Sequence, residues 1–352
     1  CWGSISYLMG LEALMHVLFV ASLSSALAAR WINQTREQLW KIDVFGFASM
    51  PHETLDFCGV TTANEILPNK SQIQNQIIAT LKRNKITSSV LRSIKNTLRY
   101  QSTPIVSLHA IQLAELIDHT KPDIIHSLKT QNEGYLVAEA LKYLRKDLKI
   151  PWVHSLWGSD LYYYGRVGQH IPLIKQVLGQ CDYLLADNPR DIRLASELGF
   201  TGKTLGVYST GGGYPIVQMR ESGGLVPPSQ RRIIAVKGYQ AKVGGQVLTA
   251  LAALKKCGRI FDGYEIIIHS AIGTYASSHL QEVRLAADDL SRSCNVAVNF
   301  LPYSPYKAIW ELFGRSRMAI AISNSDGTPN AMLEAMIMGA FPIQSNTGGL
   351  DE

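Results

Sequence analysis

The 352-residue chain is 46% hydrophobic and 18% charged, with 34 Lys and Arg against 28 Asp and Glu and a formal net charge of +6. That balance excludes a disordered chain, and the length predicts two domains, each able to bury its own core. Five scattered cysteines (Cys1, Cys58, Cys181, Cys257, Cys294), odd in number and never spaced C-x-x-C, argue against a disulfide framework or a zinc site and for the reducing cytoplasm.

In chain order, residues 1–14 read as an extra segment that need not be native, with Met15 as the natural start. The apolar run from Leu8 to Ala29 also invites reading as a secretory signal, but no Lys or Arg precedes Arg30, and Glu12 and His16 break the run. Residues 16–21 predict a first buried strand, and Ser24 the cap of a helix reaching Gln38. Further strands are predicted at 42–47, 124–126, 152–155 and 183–186, with helices at 106–118, 132–146 and 168–179. Between Ile66 and Ala114 no acid occurs, whereas Lys70, Lys82, Arg83, Lys85, Arg92, Lys95 and Arg99 do. Apolar residues there recur at helical spacing, which predicts basic amphipathic helices. Two readings stand for them: a peripheral contact with anionic lipid, or a solvated face on core-packed helices. No nucleic-acid module accompanies the charge, so nucleic acid is not an expected partner. A Gly/Pro/Ser-rich stretch then marks a boundary, giving an N-terminal domain at 15–221, a linker at 222–231 and a C-terminal domain at 232–352. Strands follow at 233–236, 265–269, 296–300, 318–322 and 341–344. The alternation predicts an α/β fold of two doubly wound, Rossmann-like domains facing a cleft, with ligands at the carboxyl ends of the strands. Beginning at Cys1 and stopping at Glu352 just after a strand, the chain reads as a fragment, its second domain incomplete.

The most informative segment is Ser323-Asn324-Ser325-Asp326-Gly327-Thr328-Pro329-Asn330-Ala331-Met332-Leu333-Glu334. It predicts a strand, a Gly/Pro turn and a helix capped by Thr328, with Pro329 in first place. Backbone N–H groups of Gly327, Thr328, Asn330 and Ala331 would be free for a phosphate, and Glu334 for the hydroxyls of a ribose beyond it. Two acids eight positions apart around such a turn, followed by Glu334-Ala-Met-Ile-Met-Gly339 and Gly348-Gly349, resemble the acid–seven residues–acid motif of retaining, nucleotide-sugar glycosyltransferases of family 4, with the GT-B fold. The first acid of that motif is usually Glu, and here it is Asp326.

The resemblance implies transfer of a sugar from a nucleoside-diphosphate donor to an acceptor hydroxyl with retention, without metal or cofactor. The acceptor would be a sugar or a lipid-linked sugar, in cell-surface polysaccharide or glycolipid synthesis, and the enzyme cytoplasmic or peripheral on the inner membrane face. It also implies a strand–His–loop facing the donor sugar, matched here by His154, with Asp326 as the second catalytic candidate. The same loop carries Trp157 and Asp160, the latter either orienting an acceptor or capping a helix, and His126 ends another strand as a cleft or structural residue. Family phosphate-binding positions after the first strand of the second domain hold Tyr239 and Gly244 instead of Arg and Lys, so Lys237 and Lys242 are the candidates for that charge. Ser24, in Ala21-Ser22-Leu23-Ser24-Ser25, stands where glycines are expected in the first loop. Two other readings share these features: a secreted two-lobed solute-binding protein, and a non-catalytic partner subunit of the same fold.

Overall fold

The computed structural model describes residues 15–22, 25–38, 40–46, 60–62, 104–145, 148–210, 212–241, 243–270, 279–302 and 304–347. The basic segment at 66–99, Ser24, Lys242 and the Gly348-Gly349 pair lie outside them. The chain divides into two compact units, Cys1–Gly212 and Gly213–Glu352.

The first unit is built on a parallel sheet of β1 (His16–Val20), β2 (Lys41–Phe45), β3 (Val60–Thr62), β4 (Ile124–Leu128), β5 (Trp152–Ser155), β6 (Tyr183–Ala186) and β7 (Lys203–Val207), in the order β3-β2-β1-β4-β5-β6-β7. Every residue of β1 is buried, because both faces of a doubly wound sheet are covered. Alternation splits them: Val17 and Phe19 pack with Ala28 and Ile32 of helix α1 (Ala26–Asn33), whereas Leu18 and Val20 pack with Leu113 and Ile117 of α2 (Pro104–Thr120). Helices α3 (Tyr135–Ala140), α4 (Ile171–Gln180) and α5 (Pro189–Glu197) complete the layers.

The second unit holds β8 (Ile233–Lys237), β9 (Glu265–His269), β10 (Ala297–Leu301), β11 (Ser316–Ala321) and β12 (Phe341–Gln344), all parallel in the order β10-β9-β8-β11-β12. Ile234 and Val236 face α7 (Val247–Cys257) and α8 (Leu280–Cys294). Ile233 and Ala235 face Met219 of α6 (Ile216–Ser222), Phe313 of α9 (Tyr306–Arg315) and Ala335 of α10 (Asn330–Ile337). Chain order reverses at β1/β4 and again at β8/β11, which puts a ligand crevice at the carboxyl ends of each pair.

Several expectations are corrected. Helix α1 is capped by Ser25, whose Oγ accepts from the Ala28 N–H at 3.3 Å, and it gives way to a 3-10 turn at Gln34–Glu37 before reaching Gln38. The helix expected at 132–146 is reduced to Tyr135–Ala140, because Lys129 (φ 84) and Asn132 (φ 77) break the path after β4. Residues 213–221, read from the sequence as part of the first domain, group with the second, where Met219 is fully buried beneath β8 and β11.

Candidate functional site

In the second unit β8 delivers Lys237 to the switch point, and the Gly238 N–H binds the His269 carbonyl at 2.7 Å. The chain then makes a tight turn that returns beside the end of β11. Gln246 N–H reaches the Ile322 carbonyl at 2.7 Å and Asn324 N–H the Gly244 carbonyl at 2.9 Å, with a bridge between Gly245 and Ser323. A Cβ on Gly245 would stand 2.2 Å from the Tyr239 carbonyl oxygen, so only glycine permits this closure. Beyond β11, Asp326 Oδ1 accepts the Gly327 N–H at 3.1 Å, which shapes the turn into α10.

The expected cap at Thr328 is displaced by one residue. The Pro329 carbonyl takes the first helical bonds, from Met332 at 3.1 Å and Leu333 at 3.2 Å, and Pro329 itself makes no side-chain cap bond. Asn330 and Ala331 therefore occupy the first turn, and Asn330 Oδ1 accepts from the Tyr214 hydroxyl. Glu334 lies one turn further in and is buried, 4% exposed. Lys237, His269, Ala321, Ala331, Met332 and Gln344 line a crevice at the carboxyl ends of β8, β9, β11 and β12. Burial with Lys237 nearby lowers the His269 pKa to about 3, so the ring is neutral there. Neither polar atom of the buried Gln344 amide has a partner among the described residues. Sequence reasoning missed Tyr214, His269 and Gln344; the two at strand ends were findable from their place after apolar runs.

The first unit gathers a second polar cluster at the carboxyl ends of β4 and β5. His154, expected to face a sugar, is the penultimate residue of β5 and is wholly buried. Its Nδ1 pairs with Ser127 Oγ at 2.7 Å and its Nε2 with Thr130 Oγ1 at 2.9 Å, which occupies both ring nitrogens. His126 pairs through Nε2 with Ser155 Oγ at 2.8 Å and packs against Phe19 and Trp31. Burial lowers both imidazole pKa values to about 3. Asp160 Oδ2 accepts from Thr130 N–H at 2.7 Å and Trp157 N–H at 3.0 Å, which ties the β4 loop to the β5 loop. Trp157, half-buried, stands past the end of β5 rather than within it. Missed by the sequence reading was Glu133, 3% exposed, with Oε2 lacking any partner among the described residues. Desolvation raises its pKa to about 7 and that of Asp160 to about 6, partly opposed in both by Lys129. Among the described residues no group of three or more His, Cys, Asp or Glu side chains could hold a metal ion. No helix among them is long and apolar enough to cross a membrane.

Residues 70–188 match the family described as glycosyl transferase 4-like, and residues 246–352 match glycosyl transferases group 1. No curated protein matches the chain by sequence. Among solved structures, HepE of Anabaena in complex with UDP-glucose is similar at a TM-score of 0.61 and 14% identity, over 95% of this chain and 81% of that one. Sucrose-phosphate synthase of Thermosynechococcus elongatus gives 0.62 and 15%, over 96% and 82%. The α,α-trehalose 6-phosphate synthase of Burkholderia multivorans gives 0.64 and 13%, over 96% and 83%. At these identities the neighbours speak to fold, two Rossmann-like domains of GT-B type, while the two sequence matches speak to family. Two segments of the chain thus match glycosyltransferase family models, within a fold of GT-B type.

Proposed function

We propose that this protein transfers a sugar from a nucleoside-diphosphate sugar to an acceptor hydroxyl with retention of configuration, as a family 4-type enzyme. The observation that carries the reading is Glu334, a carboxylate buried one turn inside α10, the helix whose Ala331 and Met332 line a crevice at the β8/β11 switch point. A carboxylate at this depth can accept charge-assisted bonds from the two ribose hydroxyls that follow a diphosphate. Lys237 and the N–H groups of Asn330 and Ala331 take the diphosphate, as cation and helix N-terminus. Lys242, Gly327 and Thr328 extend that phosphate contact, and Asp326 addresses the donor sugar. The leaving diphosphate itself accepts the acceptor's proton, and Lys237 with the start of α10 stabilises the charge that develops on it.

Acceptor recognition falls to the first unit, through the loops after β1, β4 and β5, with Ser24 and Trp157 at the loops themselves. His126, His154 and Asp160 act there by holding those loops in place. The acceptor is a sugar or lipid-linked sugar of a cell-surface polysaccharide or glycolipid, and the basic segment at 66–99 brings the cytoplasmic protein to an anionic membrane face.

The test is calorimetry with UDP on the wild-type chain and on Glu334→Gln. UDP is expected to bind, and the near-isosteric change to weaken it by about 1.5–3 kcal/mol through loss of charge-assisted bonds. Equal affinity in the two proteins would refute the assignment of Glu334.

A further inference from the structure

Arg231 and Arg232 precede β8 and Arg315 precedes β11, and the pairing of Ile233 with Ser316 sets these positions side by side at the amino ends of the two strands. Arg317 adds a fourth guanidinium. Among the described residues none of the four has a carboxylate within ion-pair distance. Arg231 is only 4% exposed, and carbonyl dipoles alone answer its charge: Nε donates to Val226 at 2.6 Å, and Nη1 to Ser316 at 3.0 Å and Met338 at 3.1 Å. Arg317 donates to the Pro228 carbonyl at 2.7 Å, and burial, with the Arg317 charge as a lesser cause, lowers the Arg231 pKa. A buried cation with like-charged neighbours and no counter-ion is electrostatically costly.

Beside this cluster lies a cavity of about 520 Å³, lined by Gln230, Arg231, Arg232, Tyr264, Glu265 and Arg315. Its size is that of a small-ligand pocket. Arg232 lies over the Tyr264 ring at 5.6 Å, which holds one wall. The single acid, Glu265, accepts from Asn299 Nδ2 at 2.7 Å and forms no ion pair with the arginines. The cavity sits at the amino ends of the strands, the end of the sheet opposite the crevice that holds Lys237 and Gln344.

We propose that this cavity is a second anion site, which binds the phosphate group of a phosphomonoester or diphosphate independently of the donor crevice. Guanidinium forks match phosphate oxygens two at a time, and a dianion placed there removes the repulsion among the four arginines. Arg232 and Arg315 supply the exposed forks, and Arg231 supplies a charge already desolvated by the fold.

The probe is inorganic pyrophosphate, titrated into the full chain by calorimetry with UDP at saturation, so that the donor crevice is not available to it. Phosphatidic acid vesicles in co-sedimentation form a second arm. One saturable pyrophosphate site is expected, weakening as salt rises. Its affinity should fall at least tenfold in R232Q/R315Q, whose exposed changes leave the melting temperature unaltered, and should persist in Glu334→Gln. Arginine-dependent sedimentation with the vesicles, without uptake of pyrophosphate, would assign the same site to a lipid phosphate. Absence of saturable binding in both arms, or a double variant within twofold of wild type, would overturn the proposal.

Discussion

At the scale of single residues, the polar cluster below the β4 and β5 loops makes opposing demands on pH. His126 and His154 have pKa values lowered to about 3 by burial, so the folded chain binds fewer protons than the unfolded one between there and about 6.5. Their share of stability is complete above about 6.5 and is lost as pH falls toward 3. Glu133 and Asp160 act in reverse, because desolvation raises them to about 7 and about 6. There the folded chain holds protons that the unfolded one releases, so stability falls as pH rises through those values. Glu133→Gln removes one opposing contribution. Urea unfolding should find the variant more stable than wild type at pH 7.5, with the gap shrinking by about 1–2 kcal/mol at pH 5.5. A gap that does not change with pH would show that Glu133 is not desolvated as described. His154→Ala should cost about 2–4 kcal/mol, since it opens a cavity and strands the Ser127 and Thr130 hydroxyls. A variant of unchanged melting temperature but lower turnover would return His154 to the sugar.

At the scale of elements, the turn between β8 and α7 shows how a glycine governs a site. Gly245 passes so close to the Tyr239 carbonyl that Gly245→Ala must push the turn away from β11. The expected result is a loss of about 1–3 kcal/mol in stability, from overpacking, together with weaker UDP binding. Calorimetry beside thermal melting separates the two effects, and full UDP affinity would place the donor elsewhere. That glycine was visible in Val243-Gly244-Gly245, but its partner was not, because a backbone–backbone approach leaves no mark on the other segment. The strands were legible for a simpler reason. Runs such as Ile233–Val236 and Tyr183–Ala186 are apolar because both sheet faces are covered, and periodicity reports that directly. The edge strand β7 escaped: four of its five residues are exposed, so no apolar run betrays it. Helix α5 escaped although Asn188 caps it, its side chain accepting from Asp191 N–H at 3.0 Å, and Pro189 opens it. At 132–146 the apolar spacing was real, but the left-handed residues Lys129 and Asn132 delayed the helix, and no composition rule foretells that. The partners of His154 were hidden by the same kind of gap. Sequence shows a His near a strand end, but not the register Ser127↔His154 that sets its ring between two hydroxyls.

At the scale of the molecule, each unit carries its own hydrophobic core, and the described residues lining the crevice proposed for the donor lie within Gly213–Glu352. Lys237, the 239–246 turn, Asp326, Asn330 and Glu334 are all carried by β8, β11, α10 and their connections, and Tyr214 reaches Asn330 from the same unit. The described residues that line that crevice run from Lys237 to Gln344. A segment comprising 213–352 is therefore expected to fold cooperatively and to bind UDP with an affinity within a few-fold of the whole chain. Transfer to any acceptor should be absent from it, because the loops after β1, β4 and β5 are left behind. Calorimetry of the isolated segment checks the first expectation, and donor turnover checks the second. Binding of UDP at 100 times its dissociation constant would raise the segment's stability by about 2.7 kcal/mol, which thermal melting resolves. A folded segment that no longer binds UDP, while the whole chain does, would mean that the first unit contributes to donor recognition and that the assignment to the second unit alone is wrong.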